Sequence, residues 1–295
     1  MKPIHLQTLL TIIDEGSFEH AALSLGISPS AVSQRIRALE KEAGRVVVRR
    51  TSPVTATSAG EVLVQAARQM ALLEAETMAA LSGRIEKVPL SVAVNADSLA
   101  TWFQPVLADV ASWENTTLHL RIEDEAHSLN LLRRGDVLGV VTRESHPVPG
   151  CDSVSLGTMQ YVSVANPQLL ARYTFNGVVD WEKMPALRFG PRDALQHEDL
   201  KNRVQQLPST RRVSQIPSAA AFVEATRVGL GWSLLPIQDA QPLLDRNEIV
   251  LLDDRVLDVA LYWQRWRLES PSLLKLTESV YNAAEQLRKN VKAIV

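Results

Sequence analysis

The residues best equipped for chemistry fall into two groups. The first lies between positions 28 and 50: Ser28, Ser30, Ser33, Gln34, Arg35, Arg37, Arg49 and Arg50. On a helix opening at Ser28, the side chains of Ser30, Ser33, Gln34 and Arg37 point one way while Val32, Ile36 and Leu39 point the other. Gln34 can pair bidentately with adenine and Arg37 with guanine, and Ser30 and Ser33 are short enough for close approach. Arg35 is expected beside the phosphate backbone. Arg49 and Arg50, with Thr51, suit phosphate or the minor groove. The N–H groups near Ser28 can take a phosphate.

The second group follows predicted strands. Asn95, Asp97 and Ser98 come after one strand and open a helix; Glu123, Asp124 and Glu125 come after the next; Thr142 and Arg143 end a third. Ser218 precedes a later helix, and Arg188 and Asp193 are further candidates of that half to face the cleft. Ligands of open α/β sheets bind in the crevice beyond the carboxyl ends of strands. The Ser98 hydroxyl and nearby N–H groups suit a ligand carboxylate. Asp97 and the three acids from Glu123 to Glu125 suit an ammonium or guanidinium group, or else serve as a helix cap and solvated loop residues. Carboxylate at one end and cation at the other describe a basic amino acid.

Other chemistries lack their motifs. There is no GxSxG, GxGxxG, P-loop or HExxH, and Gly229-Leu230-Gly231 has no third glycine. The six histidines share no ligand spacing, and the single cysteine, Cys151, permits no internal disulfide and reads as a small buried residue. No catalytic residue, metal or cofactor is expected. An enzyme built on the α/β half, a solute-binding protein for transport and an architectural DNA protein are the competing readings. The missing motifs, the fused DNA reader and the size of the second half disfavour them in turn.

The elements that must position these residues follow from periodicity. Leu6, Leu9, Leu10 and Ile13 make residues 3–15 a helix. Ser17 caps a short helix ended by Gly26. Ser28, with Pro29 at the first helical position, opens a third that Gly44 stops. Two short helices joined by a tight turn form a helix-turn-helix, and residues 45–57 alternate short apolar runs with turn residues, as a wing does. From Ser58 to about Arg84 runs one long helix. Leu63, Ala66, Met70, Leu73, Thr77 and Ala80 form a heptad seam whose simplest partner is a second copy of itself. Beyond Pro89 strands and helices alternate: strands at 90–94, 118–122 and 137–141, with helices at 99–111 and 126–134. A second set has strands at 161–165, 186–189, 212–216 and 232–235 and a helix at 219–228, and a last helix covers 272–288. This alternation implies a parallel, doubly wound sheet.

Charge and aromatics divide the chain at the same place. The net charge is −2, yet residues 28–50 carry six basic residues against two acidic, so the remainder sums to −6. All six tryptophans lie beyond residue 100 and Phe18 is the only aromatic before it. Single-strand binders need stacking rings, so the basic segment fits double-stranded DNA. At 295 residues and 46% hydrophobic composition the chain has room for two or three domains. Its first residues lack a signal peptide's apolar region and no apolar run approaches a membrane span, so a cytoplasmic protein without membrane contact is expected.

The run Ser17-Phe18, Ala21-Ala22, Leu25, Ile27-Ser28, Ser30-Ala31-Val32-Ser33-Gln34-Arg35-Ile36, Leu39-Glu40, Gly44, Arg50 and Thr57-Ser58-Ala59-Gly60 resembles the DNA-binding domain of LysR-type transcriptional regulators. One departure is Val47-Val48, where the family usually carries Leu-Phe. Asn95-Ala96-Asp97-Ser98-Leu99-Ala100-Thr101-Trp102, Glu123-Asp124-Glu125, Leu132-Arg133-Arg134-Gly135 and Tyr262-Trp263-Gln264-Arg265 are similar to the LysG/ArgP branch, which senses lysine and arginine and activates genes for their export. The resemblance implies an α+β multidomain chain. A winged helix-turn-helix spans 1–60 and a dimerisation helix 61–88, with Leu63, Met70 and Leu73 on its seam. A two-lobed domain of periplasmic-binding-protein type follows, with lobe 1 from 89–163 and 268–295 and lobe 2 from 164–267. It also implies a homodimer or homotetramer that reads paired half-sites, and an effector that alters how the DNA is bent and how RNA polymerase gains access.

Overall fold

The computed structural model describes residues 1–82, 88–114, 116–123, 128–191, 193, 195–201, 203–204 and 212–288. The chain opens with three helices, Pro3–Glu15 (α1), Phe18–Leu25 (α2) and Pro29–Ala43 (α3). Their ends have local causes. Ser17 Oγ accepts the His20 N–H at 3.0 Å and Ser28 Oγ the Ala31 N–H at 3.2 Å, so α2 and α3 each start with a capped donor. Gly26 and Gly44 end α2 and α3 in the left-handed conformation. Leu6, Leu9, Ile12, Ala21, Ala22, Val32, Ile36 and Leu39 share one core. A wing of Val48–Arg49 (β1) paired with Thr55–Ala56 (β2) closes it. Val47 and Val48 are both buried there, so the smaller pair still seats the wing.

Ser58–Ser82 (α4) is one helix of 25 residues. It belongs to two cores: Val64 and Ala67 pack with the N-terminal helices, and Leu72, with Ala75 beside it, packs with the C-terminal domain. The expected seam is split. Leu63 is half-buried against the N-terminal core, whereas Met70 and Leu73 are exposed, in line with Val62 and Leu81. The side chain of Ala80 lies outside the described set.

The C-terminal domain begins with Val88–Val94 (β3), Ala96–Ala100 (α5), Gln104–Ala111 (α6), Thr116–Ile122 (β4), Ser128–Arg133 (α7) and Gly139–Thr142 (β5). Cys151–Ala165 (β6), Pro167–Arg172 (α8), Thr174–Phe175 (β7), Val178–Val179 (β8) and Ala186–Arg188 (β9) follow. Then come Leu195–Lys201 (α9), Val213–Gln215 (β10), Ala219–Arg227 (α10), Ser233–Pro236 (β11) and Ile237–Asp245 (α11). Val250–Trp266 (β12), Pro271–Ala283 (α12) and Glu285–Arg288 (α13) complete it. The six-stranded sheet has the order β11-β6-β12-β5-β3-β4. Strands β3, β4 and β5 are parallel, as the alternation implied, but β6, β11 and β12 are antiparallel to their neighbours. The sheet is therefore mixed, not wholly parallel. Strand β12 ends beside β5 of the first lobe, at Tyr262–Arg265, while its start pairs with β6 far from that lobe. The second lobe carries the small parallel pair β9–β10, joined to the chain at Trp232 by a bridge to Ala186.

The predicted helix over 99–111 is two helices, α5 and α6. Pro105 sits in the first turn of α6, where a missing N–H is harmless. Trp102 and Phe103, edge-to-face at 5.6 Å, fill the break and are wholly buried. The predicted last helix divides likewise into α12 and α13.

Gly135 marks where the first lobe meets the linker helix. At φ +71° it accepts a conformation that side chains disfavour, and an added Cβ would lie 2.5 Å from Gln65 Cα. Glu76 of α4 also accepts from Ser270 Oγ at 2.7 Å and from the Ser272 N–H at 3.0 Å, which ties the helix to the start of α12.

Cys151 lies in a small cluster with Leu129, Val148 and Trp266. Burial, and then the charge of Asp152, pushes its thiol up to about 12, so the thiolate is a minute fraction near neutral pH. Iodoacetamide at pH 8 is expected to label Cys151 only after unfolding; rapid labelling of the native protein would contradict this burial.

Candidate functional site

Helix α3 presents its two faces as the spacing predicts. Val32, Ile36 and Leu39 are buried, Ser30, Gln34 and Arg37 are exposed and Ser33 is half-buried. The exposed face is short-chained at its start and long-chained one turn later, a shape that lets the first turn approach a groove floor. Ser28 Oγ lies 2.9 Å from Ser30 Oγ. Arg35 turns the other way: it is half-buried and its Nη1 donates to Thr8 Oγ1 of α1 at 3.3 Å, so it braces α3 against α1. Arg49 is exposed on β1, and Arg50 stands 5.2 Å from the centre of the Phe18 ring, on the α2 side of the wing.

In the C-terminal domain the ends of β3, β4 and β5 lie along one edge, where the Glu123 N–H donates to Val94 O at 3.3 Å. Asn95 caps α5 without a side-chain bond. Asn95 and Ser98 are both buried, and Asn95 Oδ1 and Ser98 Oγ have no hydrogen-bond partner among the described residues. Buried polar atoms without partners are uncommon and expensive. Asp97 has one: Tyr161 of β6 donates its hydroxyl to Asp97 Oδ2 at 2.9 Å. Glu123 is half-buried, and Thr142 is buried with its Oγ1 accepting the Glu144 N–H at 3.3 Å. Asp124 and Glu125 lie outside the described residues, as does His127.

The second lobe closes on this edge through α10, which packs against α5. Ser218 is spent as the cap of α10, accepting the Ala221 N–H at 3.5 Å. Asp193 holds its own loop, accepting from Phe189 N–H and Leu195 N–H. Arg143, at the end of β5, forms an ion pair of 3.6 Å with Glu198 of α9, so it joins the two lobes at the cleft mouth. Glu198 and Tyr161 were not among the sequence candidates, because each comes from an element remote in the chain. Behind Glu198, the buried Arg203 braces α9: it pairs with Asp199 at 2.6 Å and with Asp253, donates to Ser163 Oγ at 2.8 Å and stacks 4.7 Å from Trp181. The Arg143–Glu198 pair is itself part-exposed on both sides, so it is worth no more than about 1 kcal/mol. Glu198→Gln should change ligand affinity less than about fivefold in calorimetry; a larger loss would make the pair part of the binding site itself. Among the described residues no group of His, Cys, Asp or Glu could hold a metal ion.

A winged helix-turn-helix, joined by one continuous helix to a two-lobed α/β domain with unsatisfied polar atoms at its cleft, defines a DNA-binding transcriptional regulator with a ligand-sensing domain. Residues 4–61 match the model for the bacterial regulatory helix-turn-helix protein, lysR family, and residues 86–284 match the LysR substrate binding domain. The chain belongs to the LysR family of bacterial transcriptional regulators and is not an enzyme. It is 62% identical over 284 residues to the lysine export transcriptional regulatory protein LysG of Corynebacterium efficiens, covering 96% of this chain and 98% of that one. The full-length LysG of Corynebacterium glutamicum with bound effector Arg has a TM-score of 0.82 at 60% identity, covering 98% of this chain and 100% of its own. ArgP from Mycobacterium tuberculosis has a TM-score of 0.84 at 39% identity, with 96% and 97% covered. Among the described residues no helix is long and apolar enough to cross a membrane.

Proposed function

We propose that this chain activates a lysine or arginine export gene when a basic amino acid binds between its two lobes. What carries the reading is the cleft edge itself: Asn95, Asp97, Ser98, Glu123 and Thr142 converge there, with buried acceptors unsatisfied, in a chain 62% identical to a regulator of lysine export. Acceptors and carboxylates suit cationic groups. A ligand shifts the protein only by binding one lobe arrangement better than the other, and α4 carries the change toward the DNA-binding domain.

The same reading assigns Ser28, Ser30, Ser33, Gln34, Arg37, Arg49 and Arg50 to double-stranded DNA, with Arg35 holding α3 in place. The exposed Met70 and Leu73 on α4 support pairing with a second copy, giving a dimer or tetramer that spans two half-sites. The effector-driven change in DNA bend would govern access by RNA polymerase, in the cytoplasm where the DNA is. Calorimetry against the twenty amino acids, followed by transcription from the operator with each binder, tests it. Binding confined to lysine, arginine and close analogues, with transcription rising on addition, supports the reading. Binding of another ligand class alone, or transcription indifferent to the ligand, overturns it.

A further inference from the structure

Arg188 is the last residue of β9. Its Nε is buried and has no hydrogen-bond partner among the described residues, and no ion pair among them involves its guanidinium. Arginine stays charged at any pH the protein meets. A cation held partly out of water without an anion is unfavourable, and an unmade bond to a charged group costs more than a neutral one. The surrounding fold fixes where that charge sits. The Ile216 N–H donates to Arg188 O at 2.9 Å, which sets the end of β9 beside the start of α10. Helix α10 is the element of the second lobe that packs on α5, the carrier of Asp97 and Ser98. Phe222 of α10 also meets Phe189, the residue after Arg188, at 6.4 Å between ring centres.

The two sides of the cleft therefore differ in kind. The first lobe offers an amide oxygen at Asn95, a hydroxyl at Ser98 and carboxylates at Asp97 and Glu123; the second offers a guanidinium whose buried Nε has no partner among the described residues. Helix α5 has five residues, too few for a strong N-terminal field, so the first lobe is a poor receptor for an anion. Resting on the effector reading above, we propose that Arg188 receives the α-carboxylate of the amino acid while its ammonium and side-chain cation face the first lobe. This reverses the expectation that Ser98 and the nearby N–H groups take the carboxylate. The planar fork of arginine matches a carboxylate with two parallel bonds. The ligand then bridges the lobes by charge, negative end to one and positive ends to the other.

The test deletes each partner in turn. L-arginine and agmatine, which lacks the carboxylate, are titrated into the full chain and into Arg188→Gln, with Arg188→Lys as a second variant that keeps the charge without the fork. The unaltered chain should bind arginine roughly 10- to 100-fold more tightly than agmatine, Arg188→Gln should bring the ratio close to one, and Arg188→Lys should fall between. A ratio near one in the unaltered chain, which needs no variant to fold, overturns the assignment. So does a ratio that survives Arg188→Gln. Binding of neither ligand to the unaltered chain overturns the effector reading, and the assignment with it.

Discussion

Changing Gln34 and Arg37 together to alanine should lower affinity for the operator by about 2–6 kcal/mol, because a good bidentate base contact is worth roughly 1–3 kcal/mol of discrimination. Both residues are exposed on α3 and neither contributes to the core that Val32, Ile36 and Leu39 build, so the fold should persist. Fluorescence anisotropy at one fixed salt concentration, on the operator and on a scrambled duplex, reads the effect. Gln34→Ala should weaken operator binding and leave scrambled binding nearly as it was, since amide contacts carry sequence and not charge. Arg37→Ala should also flatten the salt dependence, by about one unit of slope if it reaches a phosphate as well. Equal loss on both duplexes from Gln34→Ala, or no loss from the pair, would remove α3 as the reading element.

Gly60→Ala is expected to be the most damaging single methyl in the N-terminal domain. The carbonyl of Val47 accepts the Thr57 N–H at 3.0 Å, Thr57 Oγ1 donates to Val46 O at 2.7 Å, and the Gly60 N–H donates back to Thr57 Oγ1 at 3.1 Å. These bonds sew the wing to the first turn of α4. A Cβ on Gly60 would overlap the Val47 carbonyl oxygen and lie 2.9 Å from its carbon. The obstruction is backbone, so no side chain can swing aside, and the loss should reach the upper part of the usual overpacking range of about 1–3 kcal/mol. Chemical denaturation followed through the helix signal, beside a gel shift, measures both stability and DNA binding. Full stability in Gly60→Ala would show that the wing is not held this way.

The N-terminal domain was legible because its signals are local. Ser17, Ser28, Gly26 and Gly44 each act within four residues, and the heptad-like spacing of α3 sorts its faces without reference to anything distant. In the second half most of the alternation was legible, including the strands at 161–165, 186–189, 212–216 and 232–235 and the helix at 219–228, but β12 and the first part of β6 were not. Strand β12 carries Asp253, Asp254, Arg255 and Asp258, a charged run that gives no strand signal; it is tolerable because Asp254, Arg255 and Asp258 are exposed and the half-buried Asp253 pairs with Arg203, while the later Leu261, Trp263 and Trp266 are buried. Strand β6 changes its burial along its length for the same reason, and only its last five residues look like a strand by composition. At the cleft, Asn95 and Ser98 could be found because a strand turning into a helix is a short-range pattern. Tyr161, 64 residues from the Asp97 it touches, could not, and neither could Glu198, because the chain folds back before either reaches the edge. Arg188 was visible as a residue and not as a side chain whose buried Nε lacks a partner among the described residues, since the absence of an acceptor is a property of the assembled surroundings.

Helix α4 has hydrophobic roots at both ends: Val64 and Ala67 in one core, Leu72 in the other, with no break between. Within α4 the chain therefore has no joint at which to be cut. A DNA-binding fragment stopped at residue 60 would lack Val64 and Ala67 and leave Leu9 and Ile12 facing water, and a sensor fragment begun after residue 72 would lack the side chain that plugs its own floor. Limited proteolysis should find no clean nick between residues 58 and 78, and calorimetry should show both halves melting in a single endotherm.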